Sequence, residues 1–156
     1  MIFFIACSDD IATNYSPSIG LEEVEVVKKM SGTDSLLLIR FWYEDKDGDL
    51  GLRDGDTTNE FKGFNNLIIN FREKRNGAYV PLTLKNTNIP VNFNQRIPNL
   101  TPTGKNKEIS GSMTVSFGVD PNEIHADTVE FDLKIIDRNF NESNIIEATD
   151  VSLIQE

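Results

Sequence analysis

The chain has 156 residues, a formal charge of −10, 38% hydrophobic residues and ten Phe. That length suits one domain with a short tail, and this apolar content describes a folded chain, not a disordered one. The negative charge argues against non-specific nucleic-acid binding, which needs a basic surface, and one Cys and one His leave zinc clusters, disulfides and Cys/His catalytic pairs poorly supplied.

Residues 1–7, MIFFIAC, are an apolar run ending in a small residue and the only cysteine. One reading makes Cys7 a buried free thiol on a first strand. The other makes the run the remnant of a processing signal; it is short and has no basic start, so the beginning is expected to be truncated or misassigned. Residues 8–20, SDDIATNYSPSIG, have no apolar period and read as a tether. The folded domain is then expected over residues 21–156.

From Leu21, Val24 and Val26 alternate with Glu23 and Glu25 as in a strand, although Leu21, Val24, Val27 and Lys28 would also fit a helical turn. In LLLIRFWYEDKDGDLG, Leu36 to Gly51, Leu37, Ile39, Phe41 and Tyr43 share one face and Leu36, Leu38, Arg40 and Trp42 the other. Two largely apolar faces predict a central strand. It runs straight into Asp45, Asp47 and Asp49, with Gly48 and Gly51 giving freedom to bend. Leu52 to Gly63 follows as a long polar excursion.

Asn66 to Phe71 alternates again, with Leu67, Ile69 and Phe71 inward, and Asn76-Gly77 predicts a hairpin into Ala78 to Leu84. Ile89 to Pro102 holds three prolines, which confines it to an edge or a connecting loop. Glu108 to Phe117 sets Ile109, Met113, Val115 and Phe117 on one side, and Gly118 to Ala126 turns the chain. Thr128 to Ile136 alternates cleanly, Asp137 to Ser143 is a polar loop, and a last strand is expected over Asn144 to Ile154. Seven to eight short strands without a sustained helical period predict an all-β, antiparallel sandwich of immunoglobulin or fibronectin type. No run of the ~20 apolar residues needed to span a membrane is present.

Three carboxylates at alternate positions repel one another unless they stay solvated or wrap a hard cation. Asp45, Asp47 and Asp49 match the first half of an EF-hand loop, but Leu50 stands where Gly is needed, Arg53 at position nine and Asp56 where a bidentate Glu is expected. The segment before it also reads as strand, which excludes the EF-hand and leaves a D-x-D-G-D loop. A solvated acidic turn is the plainer alternative. The expected ligands of a Ca²⁺ are Asp45, Asp47 and Asp49, a backbone carbonyl near Leu50 or Gly51, and Asp137 or a neighbour, with Asp54, Asp56 and Asn141 as additional candidates. Zinc would want the His and Cys that this chain lacks, and magnesium would keep more of its water. His125, in PNEIHAD, reads as a surface residue, because no nucleophile motif accompanies it. Paired carboxylates could serve a glycosidase, but nothing separates such a pair from ion ligands. Trp42 or Tyr43 could stack on a sugar, with alternation sending at least one of them into the core.

Phe4 to Cys7 resembles the lipobox of bacterial lipoproteins, with Phe4 where Leu is usual, and Ser8-Asp9-Asp10 resembles the acidic signal after the cysteine in surface lipoproteins of the Bacteroidota. The D-x-D-G-D-x-G segment at Asp45 to Gly51, the Arg96-Ile97-Pro98 element and the D-R-x-x-N-x-S-N segment at Asp137 to Asn144 resemble uncharacterised Bacteroidota lipoproteins with an immunoglobulin-like sandwich. The resemblance implies lipidation at Cys7 and a place at the outer membrane or cell surface, or facing the periplasm. It implies no activity. The expected protein is a lipid-anchored, Ca²⁺-stabilised binding or structural module without catalysis, touching the membrane through its lipid, with a glycan or envelope protein as the candidate partner. A carbohydrate-binding accessory protein and a carboxylate hydrolase are the alternatives.

Overall fold

A computed structural model describes residues 15–28, 35–103, 107–120, 122–125 and 127–153. Cys7 and residues 1–14 of the expected signal remnant and tether lie outside the described residues. Among the described residues seven strands form in chain order: β1 (Ser18–Lys28), β2 (Ser35–Asp45), β3 (Leu67–Arg75), β4 (Ala78–Pro81), β5 (Ile109–Val119), β6 (Thr128–Ile135) and β7 (Ile146–Ser152). One sheet has the order β1-β2-β5 and the other β4-β3-β6-β7, with every pairing antiparallel. This is the all-β sandwich expected from the alternation. β2 is the central strand of its sheet, as two apolar faces require.

The core lies between the sheets. Leu37, Ile39 and Phe41 of β2 and Val115 and Phe117 of β5 face Leu67, Ile69 and Phe71 of β3 and Phe131, Leu133 and Ile135 of β6, all buried. Phe71 sits at the centre, meeting Phe93, Phe117 and Phe131 near edge-on at 5.0, 5.3 and 5.7 Å between ring centres. Each such pair contributes ~0.5 to 1.5 kcal/mol beyond simple burial. Asn76 and Gly77 close the β3–β4 hairpin in left-handed backbone.

Several boundaries differ from expectation for identifiable reasons. β1 begins at Ser18, so Ser18 to Gly20 belong to the domain and not to the tether; Ile19 is buried in the core, an apolar residue hidden in sequence by its polar neighbours. β4 stops at Pro81, short of Leu84, because Glu73 takes the Thr83 amide at 3.1 Å. β5 runs on to Val119, which is buried. β7 covers only Ile146–Ser152, with Asp150 at φ 53° and a register shift opposite β6. The Pro-rich stretch is a connection without a named strand, yet it is hooked firmly. Asn66, fully buried, accepts from the Ile97 amide at 2.7 Å, and Leu67 and Gln95 exchange backbone bonds at 3.0 Å. The excursion after the aspartates contains one 3-10 turn, Asn59–Phe61.

Candidate metal centre

β2 delivers Asp45 to the end of the sandwich, where its residue is only 1% exposed. The following loop is held by burying alternate apolar residues: Leu50 and Leu52 enter the interior, the Leu50 carbonyl accepts from the Leu100 amide at 3.0 Å, and the Leu52 amide donates to the Ile97 carbonyl at 2.9 Å. Both glycines are required by close approach. A Cβ at Gly48 would lie 1.5 Å from the Lys107 carbonyl oxygen, and one at Gly51 would lie 2.0 Å from that of Pro98, with both backbones at positive φ. With the apolar residues fixed inward, the aspartates converge.

Asp45, Asp47 and Asp49 each offer a carboxylate oxygen, and these lie within 4.8 Å of one another. Asp45 Oδ2 accepts from the Leu50 amide at 2.9 Å, and Asp47 Oδ2 from the Tyr15 amide at 3.2 Å. Asp45 Oδ1, Asp47 Oδ1 and both Asp49 carboxylate oxygens are buried and receive no hydrogen bond among the described residues. Four orphaned acceptors in one place are costly, since a buried polar atom normally has a partner. Burial, then Asp47 and Asp49, push Asp45 from its ordinary 3.8 up to about 7. Burial, then Asp137 and Asp47, push Asp49 up to about 6.

The last loop meets this one, as the sequence expectation required. The Arg138 amide donates to the Asp49 carbonyl at 3.3 Å. Asp137 is fully buried beside the cluster, where burial raises its pKa against the opposing hydrogen bonds of Asn141. Its Oδ1 accepts from the Asn141 amide at 2.8 Å and its Oδ2 from Asn141 Nδ2 at 2.7 Å. Asp137 and Asn141 therefore fold the hairpin loop, and the cluster of converging carboxylates is formed by Asp45, Asp47 and Asp49. Gly51 acts as the close-packed bend.

Asp54 and Asp56 stand apart from the three. Asp54 is exposed. Asp56 pairs with the Arg138 guanidinium and accepts from the Arg53 amide at 2.8 Å, which together hold its carboxyl below the usual range. Arg138 also lies over the Phe61 ring at 5.4 Å, and Phe140 stacks on Phe61 at 5.5 Å and meets Phe64 at 5.2 Å. Arg138 and Phe140 thus clasp the polar excursion to the last loop. Sequence reasoning missed that clasp, whose only signal was an Arg and a Phe in an otherwise polar loop. It also missed Glu73, a fully buried carboxylate on β3 that accepts from Arg75, from Thr83 and from the His125 amide at 3.0 Å. Burial alone would raise its pKa, but Arg75 and the two amides hold it below the ordinary value. His125 itself is exposed.

Among the described residues no helix is long and apolar enough to cross a membrane. No family model, curated protein or solved structure matches this chain.

Proposed function

We propose that this chain is a lipid-anchored module of the cell envelope whose loop after β2 holds one Ca²⁺ that stabilises the sandwich. The four buried carboxylate oxygens of Asp45, Asp47 and Asp49 that have no hydrogen-bond partner among the described residues carry the metal reading. Their chemistry fits a hard divalent cation: all donors are oxygen, three formal negative charges converge, and Ca²⁺ accepts six to eight oxygens in flexible geometry. The residues that would hold it are these three aspartates, with backbone carbonyls or water completing the shell. Asp137 would act beside them by fixing the second loop through Asn141. Bound calcium would supply charge neutralisation within the loop after β2, and binding to the folded state alone would stabilise it by mass action.

The anchor rests on the lipobox-like run ending at Cys7 and on the acidic residues after it. Calorimetric titration with CaCl₂, set against MgCl₂ and against Asp47→Asn, tests the ion. Saturable uptake of one Ca²⁺ by wild type and its loss in the variant are expected; no uptake at millimolar calcium would end the metal reading. Detergent partitioning of the full precursor and of Cys7→Ser tests the anchor, and equal partitioning of the two would remove it.

A further inference from the structure

The outer face of the β1-β2-β5 sheet carries a second constellation, independent of the aspartate loop. Trp42 projects from β2, the central strand of this sheet, and is 42% exposed, a large fraction for the only tryptophan of the chain. Its cross-strand neighbours are Gly20 on β1 and Ser112 on β5. A Cβ at Gly20 would come within 2.1, 2.3 and 2.7 Å of Nε1, Cε2 and Cζ2 of the indole. Three successive ring atoms at such reach mean that the Nε1–Cζ2 side of the indole packs directly on the glycine. Much of the remaining ring surface is open to solvent, as the residue's exposure requires.

Directly beside the ring runs a polar row. Glu22, at the register shift of β1, accepts from Arg40 Nε at 3.0 Å through Oε2 and from Ser112 Oγ at 2.9 Å through Oε1. Arg40 and Trp42 are two apart on β2, so guanidinium, carboxylate and hydroxyl form one hydrogen-bonded row along the edge of the indole. The neighbouring β5 residues Ser110, Thr114 and Ser116 are exposed and small, leaving a low, hydroxyl-bearing shelf.

We infer that this shelf is a binding site for a neutral glycan, with one pyranose ring stacked on Trp42 and its hydroxyls bonded by Glu22, Arg40 and Ser112. A pyranose has a flat face of C–H groups, which the negative face of an aromatic ring attracts, and a rim of hydroxyls that both donate and accept. The row supplies both complements, acceptors at Glu22 and at the Ser112 oxygen and donors at the remaining N–H groups of Arg40. Charge selects the class of glycan. Arg40 and Glu22 offset one another, while Glu23 and Glu25 stand exposed on the adjacent strand, so uronic-acid or sulfated chains are repelled and neutral ones are not.

The single tryptophan makes the test direct, because all indole emission comes from this site. The probes are cello-, xylo-, malto-, laminari- and mannohexaose, with hyaluronan fragments as an acidic control, read by fluorescence titration and by retardation in gels containing the matching polysaccharide. At least one neutral hexaose should shift the emission saturably and retard wild type. Trp42→Ala should abolish the retardation, Trp42→Phe should keep part of it, and Glu22→Gln, which leaves the ring on Gly20, should weaken binding at least tenfold. A response to none of the five neutral sugars would overturn the proposal, as would equal retardation of wild type and Trp42→Ala. Sedimentation of the free proteins separates the remaining occupant: a wild-type dimer dissociated by Trp42→Ala would assign the face to a second copy and refute the glycan.

Discussion

Replacing Asp45 by Asn should raise stability in chelator and remove the further gain that wild type draws from calcium. Asp45 is buried, its Oδ2 accepts one amide, and its Oδ1 faces Asp47 and Asp49 with no donor. Asp45→Asn keeps an acceptor for the Leu50 amide, removes one negative charge, and offers an NH₂ to the orphaned oxygens nearby. In chelator above pH 7, the rise from 3.8 to about 7 bounds the relief at about 4 kcal/mol, at ~1.4 kcal/mol per unit. For a domain of this size that is a gain of up to roughly 8 to 16 °C in melting temperature, at ~2 to 4 °C per kcal/mol. With calcium at a hundredfold excess over its dissociation constant, wild type instead gains ~2.7 kcal/mol, which the variant forfeits with its ligand. Scanning calorimetry of both proteins at pH 7.5, in EGTA and in CaCl₂, measures the four values. A variant less stable than wild type in EGTA would refute the account of mutual repulsion, and a wild type unmoved by calcium would refute the site.

The same carboxylates set a pH dependence. Because the folded-state values of Asp45 and Asp49 are raised to about 7 and about 6, their protonated forms favour the folded state, and the stability these two contribute in EGTA should be full below about pH 4 and be lost as pH rises through 6 to 7; calcium should flatten the decline, and comparing wild type with Asp45→Asn by chemical denaturation at five pH values would detect a slope of the wrong sign. Phe131→Ala should cost ~3 to 5 kcal/mol, since Phe131 is fully buried against Phe71, and a loss under ~1 kcal/mol in urea unfolding would contradict its central place. Gly48→Ala should perturb the loop severely, because its Cβ would overlap the Lys107 carbonyl in a left-handed backbone; native calcium uptake by this variant would contradict the close approach. Arg138→Ala should release the excursion from the last loop, so that limited proteolysis cuts between Arg53 and Gly63 faster than in wild type, while unchanged cleavage would deny the clasp.

Alternation with period two made the main strands legible. Leu67, Ile69, Phe71, Phe131, Leu133 and Ile135 each lie where that period puts them, because a half-buried antiparallel strand allows few other patterns. The convergence of Asp45, Asp47 and Asp49 was equally legible, since the pleat of β2 is abandoned at two glycines that must bend. What stayed hidden was apolar material outside strands. Leu50, Leu52, Leu82, Ile97, Ile124 and Leu153 are buried in loops or at strand ends, where single apolar residues carry no period to read. The partition of the acidic residues was hidden for a different reason. Asp56 is drawn away from the cluster by its ion pair with Arg138, a contact across 82 residues that no local pattern announces.

The bond between the two ends of the domain bears on how it would carry a load. Asn144, before β7, accepts from the Ile19 amide at 2.9 Å and donates to the Ile19 carbonyl at 2.8 Å, imitating a strand partner from the opposite sheet. The first residues of β1 are therefore gripped on both sides, by the β2 ladder at Ser18 to Gly20 and by this amide. A pull that peels β1 from the N-terminal side therefore meets, at Ile19, the two Asn144 bonds in addition to the β2 ladder, so the first rungs are the reinforced ones. The rung that follows joins Gly20 to Trp42, so tension between the N-terminal side and anything held on the indole would pass through adjacent strands and spare the rest of the sandwich.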